Sequence, residues 1–77
     1  MPLEPIELEI LKLIRDTNSG APVGLQPLDR RLVIDYSEFV FSGKLKEKVE
    51  SMETDGLIYL TSTGGYLLTE YGKEFLV

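Results

Sequence analysis

The chain has 77 residues, of which 43% are hydrophobic and 27% are charged, and its formal net charge is −5. This length and composition predict one soluble globular domain over residues 1–77 with a single modest core. The absence of cysteine excludes disulfides and thiolate chemistry, and the absence of histidine removes the commonest general acid–base group and metal ligand. Because these groups are absent, we expect a protein that is not an enzyme and needs no metal or cofactor. With no targeting signal and no apolar run that could cross a bilayer, we also expect it to be cytoplasmic and to avoid membranes.

The first predicted element is a helix in the segment PIELEILKLIRD, which the turn sequence NSG brings to an end. A proline suits its first turn and apolar residues recur at the helical period: Pro5, Ile6, Ile10, Leu13 and Ile14. Leu8 and Leu11 fall on the opposite side, so the helix is expected to carry a second apolar face. Either the C-terminal Phe75, Leu76 and Val77 or a second copy of the chain is expected to cover that face.

The middle of the chain predicts a short second helix and then an ambiguous segment. The helix is expected to begin near Pro27, because proline is tolerated at the first helical position, and to end near Val33. The segment VIDYSEFVF that follows has no clear period, which leaves a strand, a buried turn and a helical extension open. Its aromatic residues Tyr36, Phe39 and Phe41 are interpreted mainly as core residues.

A third helix is predicted in the segment SGKLKEKVESMETDG, residues 42–56. Leu45, Val49 and Met52 form one apolar stripe at helical spacing, and Phe41 would extend this stripe inward if the helix begins earlier. Gly56 is expected to end the helix in the left-handed conformation.

The C-terminal part predicts a β-hairpin and a last short helix. The runs LIYL and YLLT read as strands around the loop TSTGG, whose two glycines are expected to accept positive φ. Thr69 is placed to cap the helix EYGKEFL. Gly72 inside that helix indicates a close approach to a neighbouring backbone, because glycine otherwise weakens a helix.

This order of elements resembles a winged helix-turn-helix domain, which is a small α+β fold with a three-helix core, a two-stranded wing and a short C-terminal helix. The segments after the third helix are similar to those of MarR-like and PadR-like transcription regulators, where the matching positions are Gly56, Leu57, Ile58, Leu68, Thr69, Gly72 and Leu76. The resemblance implies a third helix that enters the DNA major groove, a wing that touches an adjacent phosphate or the minor groove, and binding as a dimer to two half-sites.

Charge is distributed unevenly along the chain, and this bears on the implied DNA contact. Residues 30–48 hold five basic and three acidic side chains, a net charge of +2, which leaves −7 for the rest of the chain. The expected DNA-contacting residues are Arg30, Arg31, Ser42, Lys44, Lys46 and Lys48, with Thr61, Ser62 and Thr63 in the uncharged wing. Against this interpretation, the outward side of the third helix is centred on Glu47 and Glu50, which would repel a phosphate backbone.

Two functions follow from these observations. The first is a DNA-binding transcriptional regulator that binds double-stranded DNA as a homodimer, with an interface that contains Leu8, Leu11, Phe75 and Leu76. The alternative is a winged-helix protein–protein interaction module without DNA binding, which contacts a protein partner through its acidic faces or the second apolar face of its first helix.

Overall fold

The α+β class predicted from the sequence is confirmed. The computed structural model describes residues 3–17 and 19–76, and within them it contains five helices and a two-stranded antiparallel hairpin. The helices are α1 (Pro5–Asp16), α2 (Leu25–Leu32), α3 (Ser37–Phe41), α4 (Leu45–Thr54) and α5 (Glu70–Glu74), and the strands are β1 (Ile58–Leu60) and β2 (Tyr66–Leu68). The expectation that Val77 helps to cover the first helix lies outside the described residues.

The boundaries of α1 follow from local sequence. At its start the backbone N–H of Glu4 donates to Glu7 Oε1 at 2.9 Å. This hydrogen bond gives the buried Glu7 carboxylate a partner. Pro5 occupies the first turn, where a missing N–H costs nothing. At its end Ser19 and Gly20 have φ of 51° and 94°, so the chain leaves the helical conformation where the sequence predicted.

The loop between α1 and α2 is joined to the hairpin by one isolated antiparallel bridge. Val23 N–H donates to the Tyr66 carbonyl at 3.0 Å, and Tyr66 N–H donates to the Val23 carbonyl at 2.8 Å. A side chain at Gly65 would place Cβ 2.6 Å from Pro22 Cβ, so glycine is needed there for space. The expectation of positive φ is confirmed for Gly64, at 91°, and is wrong for Gly65, whose role is the close approach.

The ambiguous middle segment forms a turn and the short helix α3. Tyr36 and Phe39 pack partly buried against the core, as expected. Phe41 is 78% exposed, so the prediction that it extends the inward stripe of the next helix is wrong. The reason is Gly43, whose φ of 77° separates α3 from α4, so Phe41 belongs to a different helix from Leu45.

The start of α4 also differs from the prediction. The helix begins at Leu45, whereas the sequence placed Ser42 and Lys44 in its first turn. Ser42 instead follows the end of α3, where its hydroxyl donates to the Phe39 carbonyl at 2.7 Å, and Lys44 is the residue that precedes α4.

The core lies between α1, α2, α4 and the hairpin. The predicted stripe on α4 is confirmed, because Leu45, Val49 and Met52 are all buried. Leu11 is 0% exposed within a single chain, so its placement at a dimer or partner interface is wrong. The rest of the chain covers α1 along more than one side. The buried arc of this helix is therefore wide enough to include Leu11.

A junction of main-chain contacts fixes α4, the hairpin and α5 relative to one another. Gly56 ends α4 with φ of 81°, and the adjacent Leu57 N–H donates to the Met52 carbonyl at 3.0 Å. The Thr69 hydroxyl accepts from Gly72 N–H at 2.9 Å and donates to the Gly56 carbonyl. The predicted roles of Gly56 at the helix end and of Thr69 as a cap are thus confirmed. The close approach predicted at Gly72 is confirmed as well, since a Cβ there would lie 2.1 Å from the Leu57 carbonyl oxygen.

Candidate nucleic-acid interface

The N-terminal end of α4 carries two exposed cations, Lys44 and Lys46, which we call the cationic tip. The first backbone N–H groups of a helix lack intrahelical acceptors, and no side chain caps this end. Lysines are unfavourable here, because the N-terminus of a helix already carries partial positive charge. An anionic partner would offset this repulsion and would find ammonium groups and free N–H groups side by side.

Beside the cationic tip lies a shallow groove of about 270 Å³ between α2 and the α3–α4 connection. Lys46 lines one side of this groove, and Gln26 and Asp29 of α2 line the other. Gln26 adds a hydrogen-bonding group, whereas the Asp29 carboxylate lowers the local positive potential. The groove therefore joins the start of α2 to the start of α4 in one surface.

The two arginines of α2 are both exposed, and neither forms an ion pair with another described residue. At about 100° per residue along a helix, Arg30 follows the groove residue Asp29 by a quarter turn, and Arg31 follows by more than half a turn. Arg30 therefore lies near the groove, while Arg31 points away from it. Of the two predicted arginine contacts, only Arg30 therefore stays a candidate, and the one at Arg31 is not supported.

Lys48 does not join the cationic tip. Its Nζ lies 2.6 Å from Glu4 Oε1, in an ion pair between α4 and the start of α1, and its side chain is 22% exposed. The hydrogen bond to Glu4 is the main reason that the pKa of Lys48 is raised. The predicted role of Lys48 as a phosphate contact is not supported, because its charge is already neutralised within the chain.

The rest of the exposed surface of α4 is acidic. Glu47, Glu50 and Glu53 are all exposed and outnumber the two lysines of the cationic tip. Positive potential on this helix is thus confined to its N-terminal end. A ligand with many negative charges can approach α4 there, but is repelled along the remainder of the helix.

The loop of the hairpin is held together by its own hydroxyl groups. The Thr61 hydroxyl donates to the Gly65 carbonyl at 2.8 Å and lies 2.9 Å from the Thr63 hydroxyl. Thr61 therefore closes the turn, which differs from its predicted role as a DNA contact. Ser62 and Thr63 are exposed and keep hydroxyl groups that can reach a partner.

The remaining residues of the predicted dimer interface are only partly available. Leu8 is half-buried, and Phe75 and Leu76 pack partly buried against the core of their own chain. Exposed apolar side chains that were not predicted from the sequence lie elsewhere on the surface: Ile34, Phe41, Tyr59, Leu60 and Tyr71. Strand alternation would have revealed Tyr59, since it follows the buried Ile58 and must face the other side of the hairpin.

Neither a metal centre nor a membrane span is found in the part of the chain that the structure describes. In residues 3–17 and 19–76 no three metal-ligating side chains gather into a group that could hold an ion. No helix in the same residues has both the length and the hydropathy needed to traverse a bilayer.

Comparison with known proteins adds no family to this description. No protein-family model, curated protein or solved structure matches the chain.

Proposed function

We propose that this chain is a winged helix-turn-helix domain that binds double-stranded DNA through the N-terminal end of α4. The order of elements supports the architecture: α1, the bridge at Val23, α2, α4, and then the hairpin as a wing. The bridge supports it further, because Val23 adds a third strand position to the β1–β2 hairpin. The short helix α3 is an addition between the two helices that would form the helix-turn-helix.

The observation that carries the proposal is the cationic tip. Lys44 and Lys46 are exposed and have no ionic partner among the described residues, and they precede or begin the helix that would enter the major groove. Their side chains can approach phosphates on the two sides of the groove while the free N–H groups of the first turn face the DNA.

The acidic side chains of α4 restrict how this contact is made. Glu47 lies in the first turn and Glu50 one turn later, so a helix laid lengthwise in the groove would bring both carboxylates to the DNA. Entry by the N-terminal end keeps Glu50 and Glu53 away from the phosphates. The contact is therefore small, and Arg30 of α2 and the exposed hydroxyls of Ser62 and Thr63 lie at its edges.

The number of free cations sets the expected dependence on salt. Lys44, Lys46 and Arg30 are three candidate phosphate contacts, whereas Lys48 is held by Glu4 and Arg31 points away from the groove. Each contact changes the slope of log K against log[salt] by about −0.9, so a slope of about −3 is expected for one domain.

The test is a titration of the chain with generic duplex DNA at low and then moderate salt, followed by backbone amide shifts and fluorescence anisotropy. Salt-sensitive shifts are expected at residues 42–47 and in α2. Lys46→Gln should make the slope less steep by about 0.9, and Lys48→Gln should leave it unchanged. Lys12→Gln is the matched control, since Lys12 is an exposed lysine on α1. No shift in residues 42–47 at low salt, or an equal effect of Lys12→Gln and Lys46→Gln, would rule the proposal out.

Binding as a homodimer is a separate part of the proposal. The half-buried Leu8 and the partly buried Phe75 and Leu76 offer an apolar surface for a second copy. Sedimentation equilibrium should show a dimer that Leu8→Glu converts to monomer, with the circular dichroism spectrum retained. A wild-type chain that sediments only as a monomer contradicts the dimer and leaves the DNA proposal standing.

The acidic face of α4 favours a second candidate function, a protein–protein interaction module. Glu47, Glu50 and Glu53 would pair with a basic surface of the partner, and the exposed Phe41 would supply apolar contact nearby in the chain. The DNA titration distinguishes the two, because this module should show no amide shift with duplex DNA even at low salt. Glu50→Gln should then weaken binding to a basic protein surface, and Lys46→Gln should not.

A further inference from the structure

A second and larger groove, of about 400 Å³, lies away from the cationic tip, between the end of α1, the hairpin and α5. Its floor is apolar, because Ile14 and Leu68 line it and are both buried. Its walls include Tyr59 and Leu67, which face each other across the two strands, and Leu76 after α5. The groove is therefore built from three parts of the chain that the core already holds in place.

Two cations and no carboxylate line this groove among the described residues, although the chain as a whole carries a net charge of −5. Arg15 is occupied, because Nε and Nη2 donate to the two carboxylate oxygens of Asp16 at 2.8 and 2.9 Å. Lys73 is more available, because its Nζ lies 3.4 Å from Glu70 Oε1 and both side chains are largely exposed. An ion pair this exposed and this long contributes little to stability, so a ligand carboxylate can replace Glu70 at Lys73 at a small cost in free energy.

We infer that this groove binds a small amphipathic monocarboxylate, with its apolar body against Ile14, Leu67 and Tyr59 and its carboxylate at Lys73 Nζ. The volume lies within the range of about 300–1,000 Å³ that small-molecule pockets occupy, and such pockets combine apolar walls with a few polar groups that orient the ligand. One carboxylate matches the one available ammonium group. A polyanion is disfavoured in this groove, because Lys73 is the one available cation among its described lining residues.

The binding of such a ligand also restrains the hairpin. The body of the ligand would contact Tyr59 of β1 and Leu67 of β2 on the face of the hairpin opposite to the core. Ligand contact there adds packing to two exposed or half-buried strand residues, so the hairpin amides should show the largest response.

The test uses the full chain and two carboxylates, octanoate and cyclohexanecarboxylate, in an amide-shift titration below the micellar concentration of octanoate. Saturable shifts are expected for at least one carboxylate at Ile14, Tyr59, Leu67 and Lys73, with residues 42–47 unaffected. Octanol, which keeps an apolar body without the charge, and acetate, which keeps the charge without the body, should both bind more weakly than octanoate.

Two lysine variants test the assignment of the carboxylate. Lys73→Gln should weaken octanoate binding by about three- to fivefold and leave octanol binding unchanged, as expected for the loss of one exposed ion pair. Lys12→Gln should change neither. The inference is overturned if neither carboxylate gives saturable shifts. It is also overturned if octanol binds as tightly as octanoate and Lys73→Gln has no effect on octanoate binding.

Discussion

Substitution of Gly72 by alanine tests how α5 is fixed against the end of α4 and the start of the hairpin. Gly72 lies inside α5, where helix propensity alone predicts that alanine stabilises by about 1 kcal/mol. The tertiary structure predicts the opposite sign. An alanine Cβ would lie 2.1 Å from the Leu57 carbonyl oxygen and 3.0 Å from its carbonyl carbon, and both atoms belong to the backbone.

The size of the effect follows from how far α5 must move. Ordinary van der Waals contact begins at 3.4 Å, so relief of the 2.1 Å contact requires a shift of more than 1 Å. Thr69 opposes that shift, because its hydroxyl bonds both Gly72 N–H and the Gly56 carbonyl. Overpacking of this kind destabilises by about 2–4 kcal/mol, a large part of the roughly 4–12 kcal/mol expected for a domain of this length.

Thermal unfolding followed by circular dichroism is a direct assay. For a domain of this size Gly72→Ala should lower Tm by roughly 10–30 °C. Gly24→Ala is the matched control, because Gly24 has φ of −80° and the nearest atom to its Cβ would be Pro27 Cδ at 4.0 Å. Gly24→Ala should lower the free energy of unfolding by less than about 1 kcal/mol. A Tm for Gly72→Ala within about 4 °C of that for Gly24→Ala would refute the close approach.

Three further predictions concern stability. Leu11→Ala should cost about 2–5 kcal/mol in urea unfolding because Leu11 is fully buried, whereas Phe41→Ser should change stability by less than about 0.5 kcal/mol. Thr69→Val should cost about 1–2 kcal/mol through loss of the α5 cap, while Thr69→Ser, which keeps the hydroxyl, should cost less. The pKa of Lys48 is raised mainly by its hydrogen bond to a glutamate and that of Tyr66 mainly by burial. Because a raised pKa means that the folded state holds its proton more tightly, the stability contributed by these two groups should be lost as the pH rises above about 10. Urea unfolding between about pH 9 and pH 11 measures this loss, and a stability that rose over this range would contradict the assignment.

The local parts of the fold were predictable because their causes lie within a few residues. The period of Leu45, Val49 and Met52 determines which side of α4 is apolar, and Gly56 ends the helix because glycine accepts positive φ at little cost. The cap at Thr69 is equally local. Such features depend on neighbours in the chain, so they were recognised without any knowledge of the tertiary contacts.

The candidate interface was predicted less well, because charge in the sequence does not show which cations are already paired. Lys48 is 44 residues from Glu4 in the chain, yet the packing of α4 beside α1 brings the two side chains together. The same sequence run holds Lys46, which stays free of such a partner among the described residues. Only the arrangement of the helices separates the two lysines into one structural ion pair and one candidate DNA contact.

By itself, the sequence determined the α+β class, the positions of most helices and the hairpin, and the glycines and threonine at their ends, since period, capping and turn preferences act over short distances. The tertiary structure decided that Leu11 is core, that Phe41 is exposed and that the positive surface of α4 shrinks to Lys44 and Lys46. The physical reason is that burial and ion pairing depend on which surfaces meet, and residues far apart in the chain form those surfaces.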